Sequence, residues 1–349
     1  MALGIPIIMN RQFEKLGALD DYISFIWTTR YYSPGDFELV VGVNDKSVEF
    51  IQMHNYVIHD GDPENIGIIE SVEADVSEDR KFTLIAKGRF LPCILGRRII
   101  AVQTQLSGLV SDGIYQLIND AIINPVVEAR QIPGFEIGDY VGTATTEKQI
   151  TGENLLETIE ALCKYYKIGF NVYLTEDHNF RFELYEGTDR SYDQSVNPWI
   201  VFSDRYDNLL SSHYLKDTLG YVTDVLVAGE GEGVDRVTVW ASQDNPTGLD
   251  RYERYTDARQ IRSNNNEISD TDYHAMLTEE GLEDITQYAE AFTGVVDFNN
   301  VTYKKDVFMG DICSIENTKM GVYINARLVE IIESRDETGQ YTIIPTFGL

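Results

Sequence analysis

Basic residues are scarce in this chain: 28 Lys and Arg stand against 57 Asp and Glu, a net charge of −29 over 349 residues. So one-sided a balance argues against binding nucleic acid through its phosphates, which needs local positive charge. It equally disfavours an anionic membrane surface. Cysteine is scarcer still. Cys93, Cys163 and Cys313 lie far apart without a Cys-x-x-Cys pair, so neither a zinc site nor a disulfide framework is expected. No apolar run reaches the roughly 18 residues of a membrane-spanning helix. The apolar start, Met1 to Met9, has no basic segment before it and contains Pro6, so it reads as a first strand and not as a signal peptide. The five histidines, His54 and His59 among them, show no His-Glu-x-x-His spacing. No metal, cofactor or catalytic residue is expected.

What the chain has is β pattern. Trp27, Thr29 and Tyr31 alternate with Thr28, Arg30 and Tyr32, a period of two in β-branched and aromatic residues. Ser33-Pro34-Gly35-Asp36 then reads as a turn, with Pro34 presetting φ and Gly35 expected to take a positive φ. Phe37, Leu39, Val41 and Val43 alternate on the return strand. The 21 tyrosines suit half-buried sheet faces and interfaces, being apolar in body and polar at the tip.

The fold class expected is α+β, mostly β. Residues 1–103 read as a β-barrel-like domain of short strands with turns between them. Residues 104–200 read as an α/β insertion. There Ser111 or Asp112 can cap one helix that stops at Asn124-Pro125, and Thr151 can cap a second that Gly169 ends. Cys163 falls on the second helix's apolar stripe, as a core residue and not a nucleophile. A hairpin of Phe170–Leu174 and Asn179–Tyr185 follows. Residues 201–349 read as a second β-rich domain with a polar loop over 241–266 and one helix over about 270–292, capped by Asp270.

Several patterns invite a chemistry and fail it. Gly229-Glu-Gly-Glu-Gly233 lacks phosphate-loop spacing and precedes a strand, so it is a hairpin loop. Asp189-Arg-Ser-Tyr-Asp193 lacks the ligands of a calcium loop. Asp189 with Asp204, or Glu183 with Glu186, are arithmetic candidates for a glycosidase's two carboxyls, which must stand about 5 to 10 Å apart. With 57 carboxylates, chance supplies many such pairs. Trp199 and Trp240 could stack a saccharide but sit on strand patterns, where a core position is expected. The acidic tracts, eight carboxylates from Asp60 to Asp79 and nine from Ser263 to Tyr303 with no Lys or Arg between, read as solvated faces. In so acidic a chain Arg89, Arg97 and Arg98 read as ion-pair partners, within or between subunits, sooner than as a phosphate site.

A set of motifs carries a resemblance. They are Arg30-Tyr-Tyr-Ser-Pro-Gly-Asp-Phe-Glu-Leu39; Gly67-Ile-Ile-Glu-Ser71 with Lys87-Gly-Arg89 and Leu95-Gly-Arg-Arg-Ile-Ile100; Thr151-Gly-Glu-Asn-Leu-Leu156; Gly187-Thr-Asp-Arg-Ser191 with Val201-Phe-Ser203; Asn208-Leu209; Gly310-Asp-Ile312; and Phe347-Gly348. In this order the chain resembles the tail-tip, or baseplate hub, proteins of siphophages and prophages. It is similar there to the N-terminal structural domain of tail-associated lysins. The resemblance implies a homotrimeric ring at the virion tail tip, made in the bacterial host cytoplasm. Each protomer would supply two tube-type β domains, so that three chains meet a six-fold tube. The implied partners are the tail tube or distal tail protein, the tape measure protein, and tip or fibre proteins. Specific nucleic-acid binding and membrane association are not implied. Assembly contacts would fall on Arg30, Tyr31, Tyr32, Arg89, Arg97 and Arg98. Longer relatives carry a wall-degrading enzyme after the hub region; this chain stops at Leu349, so no hydrolase activity is expected. The acidic balance would then suit a channel for DNA. The competing readings are a cell-wall glycoside hydrolase and a host-surface carbohydrate-binding protein.

Overall fold

The computed structural model describes residues 3–76, 82–264, 267–285, 289–296 and 302–348. The N-terminal part contributes strands β1 (Pro6–Met9), β2 (Lys15–Ala18), β3 (Tyr22–Arg30), β4 (Asp36–Gly42), β5 (Tyr56–His59), β6 (Asp62–Val76) and β7 (Phe82–Phe90). The expected hairpin is β3 with β4, in antiparallel register from Tyr22↔Val41 to Thr28↔Asp36. Its turn differs from the expectation. Gly35 does not enter the left-handed region. It is glycine because a Cβ there would sit 2.1 Å from the Thr28 carbonyl oxygen and 2.4 Å from the Phe90 ring. Close approach, not backbone sign, is the constraint. A short helix, α1 (Asp45–Phe50), interrupts the strands; Asn44 and Ser47 close a reciprocal capping box at its start. Six residues are too few for a helical period to register in the sequence.

The middle of the chain holds β8 (Thr104–Leu109), α2 (Val110–Ile118), β9 (Phe135–Ile137), β10 (Thr145–Ile150), α3 (Leu155–Tyr166), β11 (Gly169–Leu174) and β12 (Phe180–Tyr185). Neither helix is capped as expected. Leu109 precedes α2 without a side-chain cap, and Ser111 lies buried inside the helix. At α3 the cap is Asn154, whose side chain accepts from the Leu156 and Glu157 amides. Lys167, not Gly169, takes the left-handed C-terminal position with φ 59°. The helix α2 runs on through a π-helical turn, Asn119–Ile123, and stops at Asn124 as the Asn-Pro pair indicates. Cys163 is fully buried in this core, and burial drives its thiol pKa upward.

The remainder contains β13 (Val201–Ser203), β14 (Leu209–Asp217), β15 (Asp224–Ala228), β16 (Thr238–Ser242), β17 (Glu253–Asp257), α4 (Asp270–Asp284), β18 (Ala289–Val296), β19 (Ile312–Asn317), β20 (Val322–Asp336) and β21 (Tyr341–Gly348). Three expectations are corrected here. The polar loop contains β17, which pairs in parallel with β15. The last helix ends at Asp284, and residues from Ala289 form a strand against β14 and β21. Tyr288, expected on that helix, lies outside the described residues. Ser269, not Asp270, caps α4.

The main sheet joins the two ends of the chain. Its order is β14-β18-β21-β20-β3-β4-β7-β6-β5-β1-β2, with β19 and β13 branching from β20. The described pairings leave it open. A separate sheet of β16-β15-β17 carries α4 on one face, with Val225, Val227, Tyr273, Met276 and Leu277 buried between them. That unit is fastened to the middle region by Glu279, which accepts from the Thr146 and Tyr166 hydroxyls, and by one buried lysine. Lys148 of β10 sits between Glu280 (3.2 Å) and Glu283 of α4. Burial opposes its charge, but the two carboxylates outweigh it and raise its pKa.

Under the main sheet, Phe25, Trp27, Phe37, Leu39, Val57 and Ala86 form the N-terminal core. Trp27 Nε1 donates to Asp62 Oδ2 at 2.9 Å, and the other oxygen of that buried carboxylate pairs with Lys304 at 2.7 Å. His59 is 1% exposed. Its Nδ1 accepts the Gly61 amide at 3.1 Å and the Gly4 amide at 3.3 Å, so that nitrogen has no room for a proton. Burial is the main reason its pKa falls to about 4, outweighing the attraction of Asp62. The group is thus depressed in the fold relative to about 6.5 unfolded. Its contribution is complete above pH 6.5 and is lost as pH falls through about 4. Unfolding free energies measured from pH 7 to 4 should fall more steeply in the native protein than in His59→Gln, by on the order of 3 kcal/mol over the window.

Candidate functional site

Alternation divides the main sheet into two faces. Phe25, Trp27, Phe37, Leu39 and Ala86 point into the core. On the other face, register aligns Glu330 with Arg30, Thr28 with Asp36, and Asp36 with Arg89. One step along, Glu38 lies opposite Lys87. The side chains follow the register. Arg30 Nε donates to Glu330 Oε2 at 2.7 Å, and its Nη1 pairs with Asp36. Lys87 stands 3.2 Å from Glu38 and 3.8 Å from Glu73. Arg89 grips both oxygens of Glu70, at 2.8 and 3.0 Å. The result is a charge ladder across β20, β3, β4, β7 and β6 in which five carboxylates meet three cations.

The ladder is graded by burial. Around Arg30, burial works against the charge, yet Asp36 and Glu330 more than offset it and raise the guanidinium pKa. Burial likewise works against ionised Glu70, and Arg89 overcomes it to hold the carboxyl below its usual range. Beside the ladder, α3 and the Arg30 end of β3 enclose a cleft of about 510 Å³, lined by Arg30, Tyr32, Glu157, Glu160 and Glu330 among others. Burial first, and the Glu157 charge second, push the Glu160 carboxyl upward.

The six residues singled out in the sequence do different things. Arg30 and Arg89 belong to the ladder. Tyr31 is fully buried where the three regions of the chain meet, in a position its strand pattern did not disclose. Its hydroxyl lies within 3.2 Å of the Lys167 carbonyl and 3.3 Å of the Tyr185 carbonyl. Arg327 stacks on its ring at 5.3 Å. Gly169 and Gly310 press against the same ring, where a Cβ on either would come within 2.3 Å. Tyr32 is half-buried and packs edge-on to Tyr31. Arg97 and Arg98 make no ion pair among the described residues. Arg98 Nε donates to the Arg130 carbonyl at 2.9 Å, while Arg97 is exposed.

Among the described residues, no contact joins Asp189 to Asp204 or Glu183 to Glu186. Asp204 binds the Thr318 hydroxyl and amide, which lower its pKa, the reverse of what a general acid needs. Glu186 accepts from Tyr140, and Glu183 pairs with Arg181 at 2.7 Å. The thiol of Cys93 is buried and pushed up to about 12. The two tryptophans depart from expectation: Trp199 is 60% and Trp240 48% exposed. Trp240 occupies the outer face of β16, opposite Leu226 and in line with Tyr255, because α4 covers only the inner face. Strand alternation marked the two faces; which one α4 would cover lay outside any local pattern.

Known proteins bear on this architecture. The family model for the Siphovirus ReqiPepy6 Gp37-like protein matches residues 6–349. The chain belongs to that family. No curated protein matches the Gp37-like chain. Among solved structures it is similar to the tail protein from Neisseria meningitidis MC58, with 12% identity, TM-score 0.59, and coverage of 100% of this chain and 97% of that one. The 43 kDa tail protein of prophage MuSo2 from Shewanella oneidensis gives 12% identity, TM-score 0.60 and 98% coverage of both chains. Prophage tail protein gp18 from Listeria monocytogenes EGD-e gives 13%, 0.54, and 99% and 94%. At such identities these likenesses speak for the fold of the Gp37-like chain, which they share from end to end.

The grading of the ladder makes a prediction. Arg30→Met should lower stability by about 1 to 2 kcal/mol, since it strands two carboxylates on a half-buried surface. Lys87→Met, on the exposed part, should leave the urea midpoint within error. Equal losses in both variants would contradict the gradient.

Proposed function

We propose that the Gp37-like chain is a structural hub of a phage or phage-like tail tip, and that three copies form a ring between the tail tube and the distal tip. The observation that carries this reading is the main sheet, which runs without a break from the C-terminal strands β14, β18, β21 and β20 into the N-terminal strands β3, β4, β7 and β6. A sheet continuous through both halves of a protomer is what a wall segment of a tube requires. In this reading residues 1–103 and 201–349 supply the two tube-type units, and residues 104–200 stand outside them as the insertion. Three such chains present six units to a six-fold tube. The likeness to tail proteins over the full length supports the same reading.

The charge-laddered face of the sheet lines the bore. Its carboxylates outnumber its cations, and the chain as a whole carries −29. A net negative wall repels DNA phosphates over the roughly 8 Å screening length of physiological salt and keeps the passing polymer from sticking. The protein's task is assembly, with no hydrolysis of the cell wall. Its partners are the tail tube or distal tail protein, the tape measure protein and the tip or fibre proteins.

Glu38→Lys with Glu73→Lys tests the bore directly, because both side chains sit on the exposed part of the ladder where ion pairs contribute little to folding. Particles carrying the pair should assemble normally and eject DNA several-fold more slowly, the more so at low salt. Wild-type ejection kinetics in assembled double-variant particles would rule out this face as the bore.

A further inference from the structure

A second cavity, of about 370 Å³, opens where the three regions of the chain meet. That volume is at the small end of pockets that hold organic ligands. Its wall is aromatic. Phe90, Phe170, Tyr173, Tyr185 and Tyr303 line it, and Phe308, 44% exposed, joins them. The rings come from all three regions. Phe90 ends β7, Phe170 and Tyr173 lie on β11, Tyr185 ends β12, and Tyr303 and Phe308 precede β19. Ring faces attract a cation through their quadrupole, and they do so more strongly where water is excluded.

The charges of the same cavity do not cancel. Arg30, Glu64, Glu186, Lys304 and Asp311 line it. Three of them are already answered. Arg30 lies between Asp36 and Glu330. Asp311 takes Arg190 at 2.7 Å and the Thr188 and Phe308 amides. Lys304 pairs with buried Asp62 at 2.7 Å. Glu64 and Glu186 are exposed, and among the described residues neither meets a cation. Glu186 accepts the Tyr140 hydroxyl, which leaves its charge in place. Glu64 acts on the aromatic wall: burial first and its charge second push the Tyr173 phenol up to about 12. At Tyr185, next in the chain to Glu186, burial again leads and Glu64 is among the charges that follow. Lys304 acts at the other end. At His59 and Glu333 burial comes first, and Lys304 is among the charges acting after it. Two uncompensated carboxylates thus stand beside the Tyr173 and Tyr185 rings, and walls of low polarity focus their field into the cavity. Among the described residues no three His, Cys, Asp or Glu side chains gather to hold a metal ion. The cation that this donor set suits is an organic one.

We infer that this cavity is a binding site for an organic ammonium ion, its charge toward Glu64 and Glu186 and its alkyl part against the aromatic wall. The ion is either a free amine or the lysine side chain of a partner protein, since the recognising chemistry is the same. The site lies within one protomer and does not depend on the hub reading.

A ligand-observed NMR titration of the full chain at low salt tests it. The probes are diaminobutane, acetyl-lysine methylamide and, as the neutral isostere of the diamine, butanediol. Both amines should bind saturably and compete with each other, and butanediol should not bind. Tighter binding of the diamine assigns the site to a free amine; tighter binding of the lysine derivative assigns it to a partner's side chain. Glu64→Gln with Glu186→Gln should weaken the tighter probe several-fold. Both positions are exposed, and glutamine keeps an acceptor for Tyr140. Glu128→Gln with Asp244→Asn removes the same charge from exposed positions outside the cavity and should leave the affinity within error. Equal weakening in the two double variants would mark a general attraction to an acidic chain and overturn the site. Butanediol binding as tightly as the diamine, or no saturable binding of either amine, overturns it without recourse to any variant.

Discussion

The pairing of β20 with β3 is the constraint on which the molecule depends. Seven residues, Glu330 to Asp336, run antiparallel to Ser24–Arg30. They join parts of the chain some 300 positions apart, as the Arg30–Glu330 bond marks. Closing so long a loop costs entropy that only a long, cooperative ladder repays. Once it forms, the N-terminal and C-terminal strands are one sheet. The middle region is then held against it around Tyr31, where Gly169, Gly310 and Arg327 converge. Arg30 and Tyr31 are consecutive. One closes the long ladder on the polar side, and the other seals the junction on the buried side, because alternation turns neighbouring residues to opposite faces.

Much of this was legible in the sequence, and its limits have physical causes. The hairpin of β3 and β4, the strands β11 and β12, and the final pair β20 and β21 follow from local alternation between turn residues. Local pattern did not reveal which strands meet. Nothing near Arg30 announces Glu330, and residues 1–103 and 201–349 read as separate β regions although their strands share one sheet. Capping errors came from the same source: Thr151 and Ser111 have the right chemistry, but the tertiary path sets the first helical turn at Leu155 and at Val110. Lys167 adopts the left-handed position that Gly169 was expected to fill, while Gly169, two residues on, opens β11 against the Tyr31 ring. Strand alternation did not disclose the exposure of Trp240, which depends on α4 lying on the other side of its sheet.

Charge gives the surface its organisation. The acidic excess is not spread evenly. Across the ladder carboxylates are interleaved with cations and only slightly exceed them, which keeps the sheet stable while leaving its face negative. At Lys148, two glutamates of α4 hold one buried ammonium, a joint that binds the small β15–β17 unit to the middle region.

A cryo-electron microscopy map of the tail end of particles that carry this protein tests the central claim most directly. The account predicts three copies about the axis, with the β20-β3-β4-β7 face, and Glu38 on it, turned toward the bore. A different copy number, or that face turned outward with another protein lining the channel, would contradict it.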